Sequence, residues 1–339
     1  MKQAIMIEPG RIEFHEVPVP EIKDDQVLIA IKRIGICGSD IHVFHGLHPY
    51  THYPVVQGHE ISGLIEKVGA DVAGLKLGDM VTVMPQVVCG VCLPCRTGNY
   101  HICDHLKVMG FQTGGAAQEY FPVDADHIVR LSDNFSLDQA AMIEPIAVAV
   151  HAVNRVGNLS ANGVLVLGAG TIGNLVAQTA RALGATNQLI TDINNYKLEK
   201  ARECGLENAC NPRRESLGDR IIEIFGPDKM DVVFECVGSQ ETITQAVENA
   251  RKGSAIVVVG VFGKNPEVNL GFVQDRELRL LGTLMYQKGD YETAVKLVIQ
   301  KLIDLGPLVT HRFAFGDYPE AYRLIEESRG DYMKVMIEL

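Results

Sequence analysis

Val164-Leu165-Val166-Leu167 is an unbroken apolar run, Gly168-Ala169-Gly170-Thr171-Ile172-Gly173 follows it with no spacer, and Ile172 to Leu183 carries the apolar period of a helix. A chain built this way must turn sharply out of a buried strand into a helix lying back on it, which is the opening step of a βαβ unit. The alternation continues downstream. Strand Gln188 to Thr191 precedes helix Tyr196 to Glu203, strand Asp231 to Cys236 precedes helix Thr242 to Arg251, and a strand follows from Ala255 to Gly260. Such repetition predicts a parallel sheet covered by helices. The residues before about Ile146 read differently, as short strands separated by breakers: Lys2 to Ile7, Arg11 to Val17, Gln26 to Ile34 and Ile61 to Val68. They predict a β-rich first domain. After the apolar stretch Leu278 to Leu284 come helices at Tyr291 to Leu302 and Tyr318 to Glu327 and a last strand at Lys334 to Ile337, a tail expected to return to the first domain. A length of 339 residues is more than one core usually supports, so two domains are expected.

Composition removes several classes of function. Hydrophobic residues make up 47% and charged residues 22%, an ordinary globular balance with no low-complexity tract or solenoid repeat. A formal charge of −11 without a basic block argues against nucleic acid as a partner, because phosphate backbones require clustered Lys and Arg. Glu8 and Pro9 interrupt the N-terminus before a signal-length apolar run develops, and no apolar run is long enough to cross a bilayer, so no membrane association and a cytoplasmic location are expected. Eight cysteines in such a chain point to metal ligation or quiet burial rather than disulfides.

The glycine turn has a specific chemistry. Gly168 permits the tight turn, Gly170 lets backbone approach a pyrophosphate, and Gly173 allows the helix to pack closely on the strand. The amides at Thr171 and Ile172 open the helix, where free N–H groups receive phosphate. Asp192 ends the next strand about twenty residues on, where a carboxylate accepts hydrogen bonds from ribose hydroxyls and repels a 2′-phosphate, so NAD is favoured over NADP. Lys197 is a further candidate at the same ribose, and Gly260 and Val261, ending a later strand, complete the candidate cofactor contacts.

Two groups of metal-ligating residues precede the nucleotide fold. Cys89-x2-Cys92-x2-Cys95-x7-Cys103 sets four thiols in one short loop, the specification of a closed tetrahedral zinc. The competing bacterial iron–sulfur run has its last cysteine after three residues and a proline behind it, whereas here Asp104 follows Cys103. Cys204, Cys210 and Cys236 read as small buried hydrophobes. The second group joins Cys37-Gly38-Ser39-Asp40 with Gly58-His59-Glu60. Together these offer a thiolate, an imidazole and a carboxylate with one position open, as a catalytic zinc requires. Glu144, in Ile143-Glu144-Pro145, is a further candidate ligand, and Glu60 and Glu144 compete for the inner position. Asp40 is either the carboxylate that orients His59 or a local turn former. Ser39 and His42 are candidates to carry a substrate proton away, although His42 sits among His45, His48 and His52 on what also reads as a histidine-rich surface.

These residues together resemble the zinc-dependent medium-chain alcohol dehydrogenases, and within them the sorbitol (polyol) dehydrogenase-like branch. The likeness spans the chain: both cysteine motifs, Gly168 to Gly173, and Gly58-His59-Glu60-Ile61-Ser62-Gly63 continued by Gly69 and Val72. The resemblance implies an α/β protein, with a GroES-like β-barrel catalytic domain at residues 1–145 carrying a structural zinc lobe at about 86–105. It implies a doubly wound Rossmann domain at 146–284, a C-terminal return at 285–339, and an active cleft between the domains. It also implies Cys37, His59 and Glu60 as catalytic zinc ligands, Glu144 as an adjacent carboxylate, and Ser39 with His42 as the proton relay. Two zinc ions per chain, NAD, an alcohol or polyol substrate and a homodimer or homotetramer complete the expectation. One departure stands out: polyol dehydrogenases commonly have Arg-Tyr where this chain has Met285-Tyr286, and loss of an arginine that would contact a hydroxyl-bearing substrate weighs against sorbitol itself. Ala116-Ala117, where an aromatic usually follows Gly114-Gly115, predicts an altered substrate wall.

The expected reaction is hydride transfer from a secondary alcohol or polyol to NAD. Two other readings stand beside it: a threonine dehydrogenase or another ketone reductase of the same family, and a protein that kept the fold and nucleotide site without chemistry.

Overall fold

The computed structural model describes residues 1–159 and 163–339. The chain forms two compact units, Met1–Glu144 with Val309–Leu339, and Pro145–Leu308.

Among the described residues, the first unit is organised by a seven-stranded sheet in the order Val309–Ala314, Lys334–Glu338, Gln26–Ile36, Glu60–Val68, Met80–Val83, Ile128–Arg130, with Tyr120–Asp124 also pairing Gln26–Ile36. All pairings are antiparallel except the C-terminal pair, which is parallel and joined through the helix Tyr318–Glu327. The long strand Gln26–Ile36 is central because both of its faces are covered. Val27, Ile29, Ile31, Ile34 and Ile36 are all buried, each contributing roughly 1.5–3 kcal/mol relative to exposure. Register then decides what lies at its end. Gly35 pairs with Glu60, and Ile36 pairs with Val335. Three adjacent strands therefore deliver Cys37, Glu60 and Lys334 to one end of the sheet.

The second unit carries a six-stranded, all-parallel sheet in the order Ala209–Cys210, Asn187–Thr191, Gly163–Leu167, Val232–Glu235, Ala255–Val258, Arg279–Gly282. Numbered along the chain this is 3-2-1-4-5-6, the doubly wound dinucleotide-binding order, with the glycine turn at the end of the first strand. Every residue of Gly163–Leu167 is buried, as expected of a parallel strand covered by helices on both faces.

Two features differ from the sequence reading. The return to the first unit begins at Val309 rather than at 285: the helix Lys288–Ile299 and the turn Gly306–Leu308 belong to the second unit. Polar anchors hold them there. Asp290 takes hydrogen bonds from His151 and Asn154 at 2.8 and 2.9 Å, and Gln178 bonds the backbone of Asp304 in both directions. Periodicity predicted the helix and its apolar stripe, but a stripe does not say which core it faces. The short strands Met80–Val83, Tyr120–Asp124, Ile128–Arg130 and Val309–Ala314 were also not legible, having too few residues to establish a period. Among the described residues no helix is long and apolar enough to cross a membrane.

Candidate active site and metal centres

Cys37 follows the central strand and opens the helix Gly38–Phe44, while Glu60 begins the neighbouring strand and His59 immediately precedes it. Their ligand atoms, one from each residue, lie within 4.8 Å of one another. His59 and Glu60 are buried at 5% and 1% exposure and Cys37 is half-buried, so the group has one side toward solvent and one set in the core. Glu60 fits there because its strand faces Gly35, where any Cβ would strike the Glu60 carboxylate.

The electrostatics of this group suit a cation. Burial opposes charge on the His59 imidazole, yet Asp40, the Cys37 sulfur and Glu144 outweigh it and raise its pKa to about 10. The negative groups that attract a proton are the ones a divalent ion would neutralise, and the soft sulfur, ring nitrogen and carboxylate match zinc. The Nδ1 of His59 is buried without a hydrogen bond and faces Asp40 Oδ1 at 3.7 Å. Asp40 in turn accepts the Cys37 amide at 2.9 Å and the side-chain amide of Gln57 at 3.2 Å. Behind Glu60 stands Lys334, which is 4% exposed and donates to Glu60 Oε2 at 2.5 Å and to the Ile36 carbonyl at 3.1 Å.

The other expected residues are placed as follows. Glu144 is buried in the first turn of the helix Ile143–Asn154, close enough to act on His59 electrostatically, but it does not join the three-ligand group. Ser39 and His42 lie three residues apart on the helix Gly38–Phe44, hence on one face, and both are half-buried. Sequence reasoning passed over Lys334, Gln57 and Phe111. The Phe111 ring stands 4.9 Å from that of His59 and stacks at 4.8 Å on His48. Register and packing bring Lys334 and Phe111 to the site, whereas Gln57 arrives as the residue just before Gly58-His59-Glu60.

The second metal group is a loop in which Cys89, Cys92, Cys95 and Cys103 have sulfurs within 4.8 Å of one another. Separations of 3.5 Å for Cys89–Cys103 and 3.8 Å for Cys92–Cys103 match the spacing of about 3.8 Å that sulfurs adopt around zinc at about 2.3 Å. Backbone amides already point at the sulfurs, Cys92 N–H at Cys89 and His105 N–H at Cys103. Amides of Val91 and Cys92 lower the Cys89 thiol to about 6, favouring the thiolate a metal needs. Of the remaining cysteines, Cys204 and Cys210 are buried and Cys236 half-buried.

In the second unit the glycine turn has the geometry its sequence predicts. Gly168 has φ +102°, and a Cβ at Gly173 would collide with the Gly168 carbonyl, so the helix Thr171–Ala182 rests directly on the turn. A Cβ at Gly170 would meet nothing within 4 Å, and the helix that Gly170 caps has no side-chain cap on its first amides. That leaves open space and free donors where a pyrophosphate fits. Asp192 accepts from the Ala169 amide of this turn and from the Asn194 amide, both at 2.9 Å. Lys197 lies half-buried in the helix Asn195–Glu203, Gly260 packs against the Gly238 amide, and Val261 is exposed.

Comparison with known proteins places this arrangement among dehydrogenases. Residues 23–133 match the family described as "Alcohol dehydrogenase GroES-like domain", and residues 171–300 match "Zinc-binding dehydrogenase". Sorbitol dehydrogenase 2 of Saccharomyces cerevisiae (strain ATCC 204508 / S288c) is 35% identical over 98% of this chain and 97% of its own length. The L-threonine 3-dehydrogenase of Anaeromyxobacter sp. (strain K) is 33% identical, covering 93% of this chain and 92% of its own. Among solved structures, galactitol-1-phosphate dehydrogenase from Escherichia coli superposes with a TM-score of 0.93 at 30% identity over the whole of both chains.

Proposed function

Because the chain belongs to the zinc-dependent medium-chain alcohol dehydrogenases, in their sorbitol dehydrogenase-like branch, we propose that Cys37, His59 and Glu60 hold its catalytic zinc and that its substrate is a sugar alcohol or sugar acid. The chain is a zinc-dependent oxidoreductase acting on CH–OH donors, with a GroES-like domain and a Rossmann domain. The observation that carries the site assignment is the convergence of one sulfur, one ring nitrogen and one carboxylate oxygen within 4.8 Å in a buried, negatively polarised corner. Glu60 rather than Glu144 is the third ligand in this reading, since its carboxylate joins the group and that of Glu144 does not. Cys89, Cys92, Cys95 and Cys103 hold the second, structural zinc.

When bound, zinc supplies Lewis acidity toward the substrate hydroxyl and NAD supplies the hydride acceptor. The residues of the chain do the rest. Ser39 Oγ takes the hydroxyl proton as it releases its own toward His42, on the same helix face. Asp40, whose Oδ1 lies 3.7 Å from His59 Nδ1, orients the ring by charge so that the other nitrogen stays available to the metal. Gly168 to Gly173, with the amides at Thr171 and Ile172, bind the pyrophosphate. Asp192 binds the ribose, which supports NAD over NADP, and Lys197, Gly260 and Val261 line the remainder of the cofactor. Met285, in place of the arginine of polyol dehydrogenases, supports a substrate other than sorbitol. The threonine dehydrogenase relative keeps an amino-alcohol substrate as the second reading.

Thiols gathered at two candidate metal sites support a reducing compartment such as the cytoplasm. The partner we expect is a second copy of the chain, joined through the strand Arg279–Gly282 at the end of the six-stranded sheet.

Metal analysis of the purified protein tests the site. The expected content is two zinc ions per chain, falling to one in Cys37→Ser, with NAD binding kept and NADH formation reduced by more than about 100-fold, given that outer-shell changes alone cost 10–100-fold. Full activity in Cys37→Ser, or one zinc in the unmodified protein, overturns the assignment. NADH formation across pentitols, hexitols, sugar acids and L-threonine then identifies the substrate.

A further inference from the structure

A chain of buried polar groups leads from the catalytic corner to the C-terminal segment. Asp40 Oδ1, the oxygen facing His59 Nδ1, accepts from the Gln57 side-chain amide at 3.2 Å; the same amide reaches the Asp40 carbonyl at 3.2 Å. Gln57 Oε1 lies 2.7 Å from the hydroxyl of Tyr322, on the helix Tyr318–Glu327. Asp40, Gln57 and Tyr322 are 1%, 2% and 0% exposed, so water cannot substitute for any member.

The direction of this chain follows from hydrogen-bond capacity. A carboxylate only accepts, so the NH2 group of Gln57 must face Asp40. Its carbonyl then faces Tyr322, whose hydroxyl must donate. Every link is set by the next, and the last is gripped by packing: the Tyr322 ring lies 4.9 Å from Phe44 and 5.7 Å from Tyr318. Phe44 ends the helix that Cys37 opens, so the same ring braces both sides of the corner.

We propose that Tyr322 and Gln57 are positioning residues for the catalytic zinc, fixing through Asp40 the ring orientation of His59. The C-terminal segment thus takes part in metal binding although it supplies no ligand. This inference rests on His59 being a zinc ligand.

The test uses the zinc-loaded protein and reads the rate at which a chelator withdraws each of the two ions. The four-cysteine zinc serves as internal reference. Tyr322→Phe keeps the ring and removes the hydroxyl; Gln57→Leu removes the amide. Each is expected to release the Cys37–His59–Glu60 zinc about 10-fold faster, the lower end of the effect of outer-shell partners on metal affinity, with release from the cysteine loop unchanged. Links in series predict that the double variant is no worse than Gln57→Leu alone. In cobalt-substituted protein, Tyr322→Phe is expected to shift the visible absorption bands of the His59 site. Tyr53→Phe, which loses a hydroxyl bonded to the Val43 carbonyl outside the chain of links, is expected to behave as the unmodified protein. Unchanged release and spectra in Tyr322→Phe and Gln57→Leu overturn the proposal, as does equal loosening in Tyr53→Phe. A single zinc in the unmodified protein would instead overturn the ligand assignment beneath it.

Discussion

Lys334 and Glu60 form a buried ion pair at the edge of the proposed zinc site, and each is costly to the fold without the other. Breaking a buried pair typically costs about 3–5 kcal/mol, because the abandoned charge stays out of water. Lys334→Met is therefore expected to lower urea resistance by about that amount in metal-stripped protein, relative to unmodified protein stripped in the same way. In zinc-loaded protein the loss is expected to be smaller, since the metal then balances the Glu60 carboxylate. Equal losses in the two forms would mean that Glu60 does not face the ion. At this scale the candidate ligand set was legible in the sequence and the residues that support it were not. Cys37, His59 and Glu60 stand in short motifs whose residue types announce metal binding. Lys334 lies 274 positions from Glu60, and Tyr322 lies 265 from Gln57, and a lysine or tyrosine alone carries no such signal.

The strands Val309–Ala314 and Lys334–Glu338 add the C-terminal segment to the first unit's sheet, and a carboxylate helps pin them there. Asp138 accepts Arg33 at 2.7 Å on one oxygen and Arg312, through two nitrogens at 3.0 and 2.7 Å, on the other. Partial burial pushes the Asp138 carboxyl up, but the hydrogen bonds of Arg312 and Arg33 outweigh it and leave its pKa below the ordinary value. A folded-state pKa below the unfolded one stabilises above the unfolded value, about 3.9, and that contribution disappears as pH falls through the folded value. Asp138→Asn is thus expected to cost about 1–2 kcal/mol at pH 7, discounted from the buried-charge range for solvent screening. Urea unfolding at pH 7 and near pH 3 checks this; a penalty that persists undiminished at the acid end would show that the charge is not what matters. Long periodic elements such as Thr171–Ala182 were legible within a residue or two. The helix Lys288–Ile299 was legible as a helix but not as a member of the second unit, because an apolar stripe fits any complementary core.

For the whole molecule, the exposed margin of the second unit's sheet is the feature with the widest consequence. Among the described residues, Arg279–Gly282 pairs with Ala255–Val258 alone, and Leu280 and the following Leu284 are 38% and 52% exposed. An open apolar strand edge invites pairing with an identical edge, and a two-fold axis satisfies both copies at once. Sedimentation is expected to give a dimer or tetramer, and Leu280→Lys to shift it toward monomer with the zinc content per chain preserved. A monomer at micromolar concentration in the unmodified protein would remove this edge as an interface.

The sequence by itself determined the βα alternation, the glycine turn and the donor sets of both metal groups. These are local: strand and helix periods span a dozen residues, and a four-cysteine loop closes on itself. Tertiary structure decided which carboxylate lies beside Cys37 and His59, which unit holds residues 285–308, and how the last thirty residues come to stand behind the proposed zinc site. The physical reason is that a ligand's chemistry resides in its residue type, whereas its orientation depends on strand register and buried hydrogen bonds between segments hundreds of residues apart.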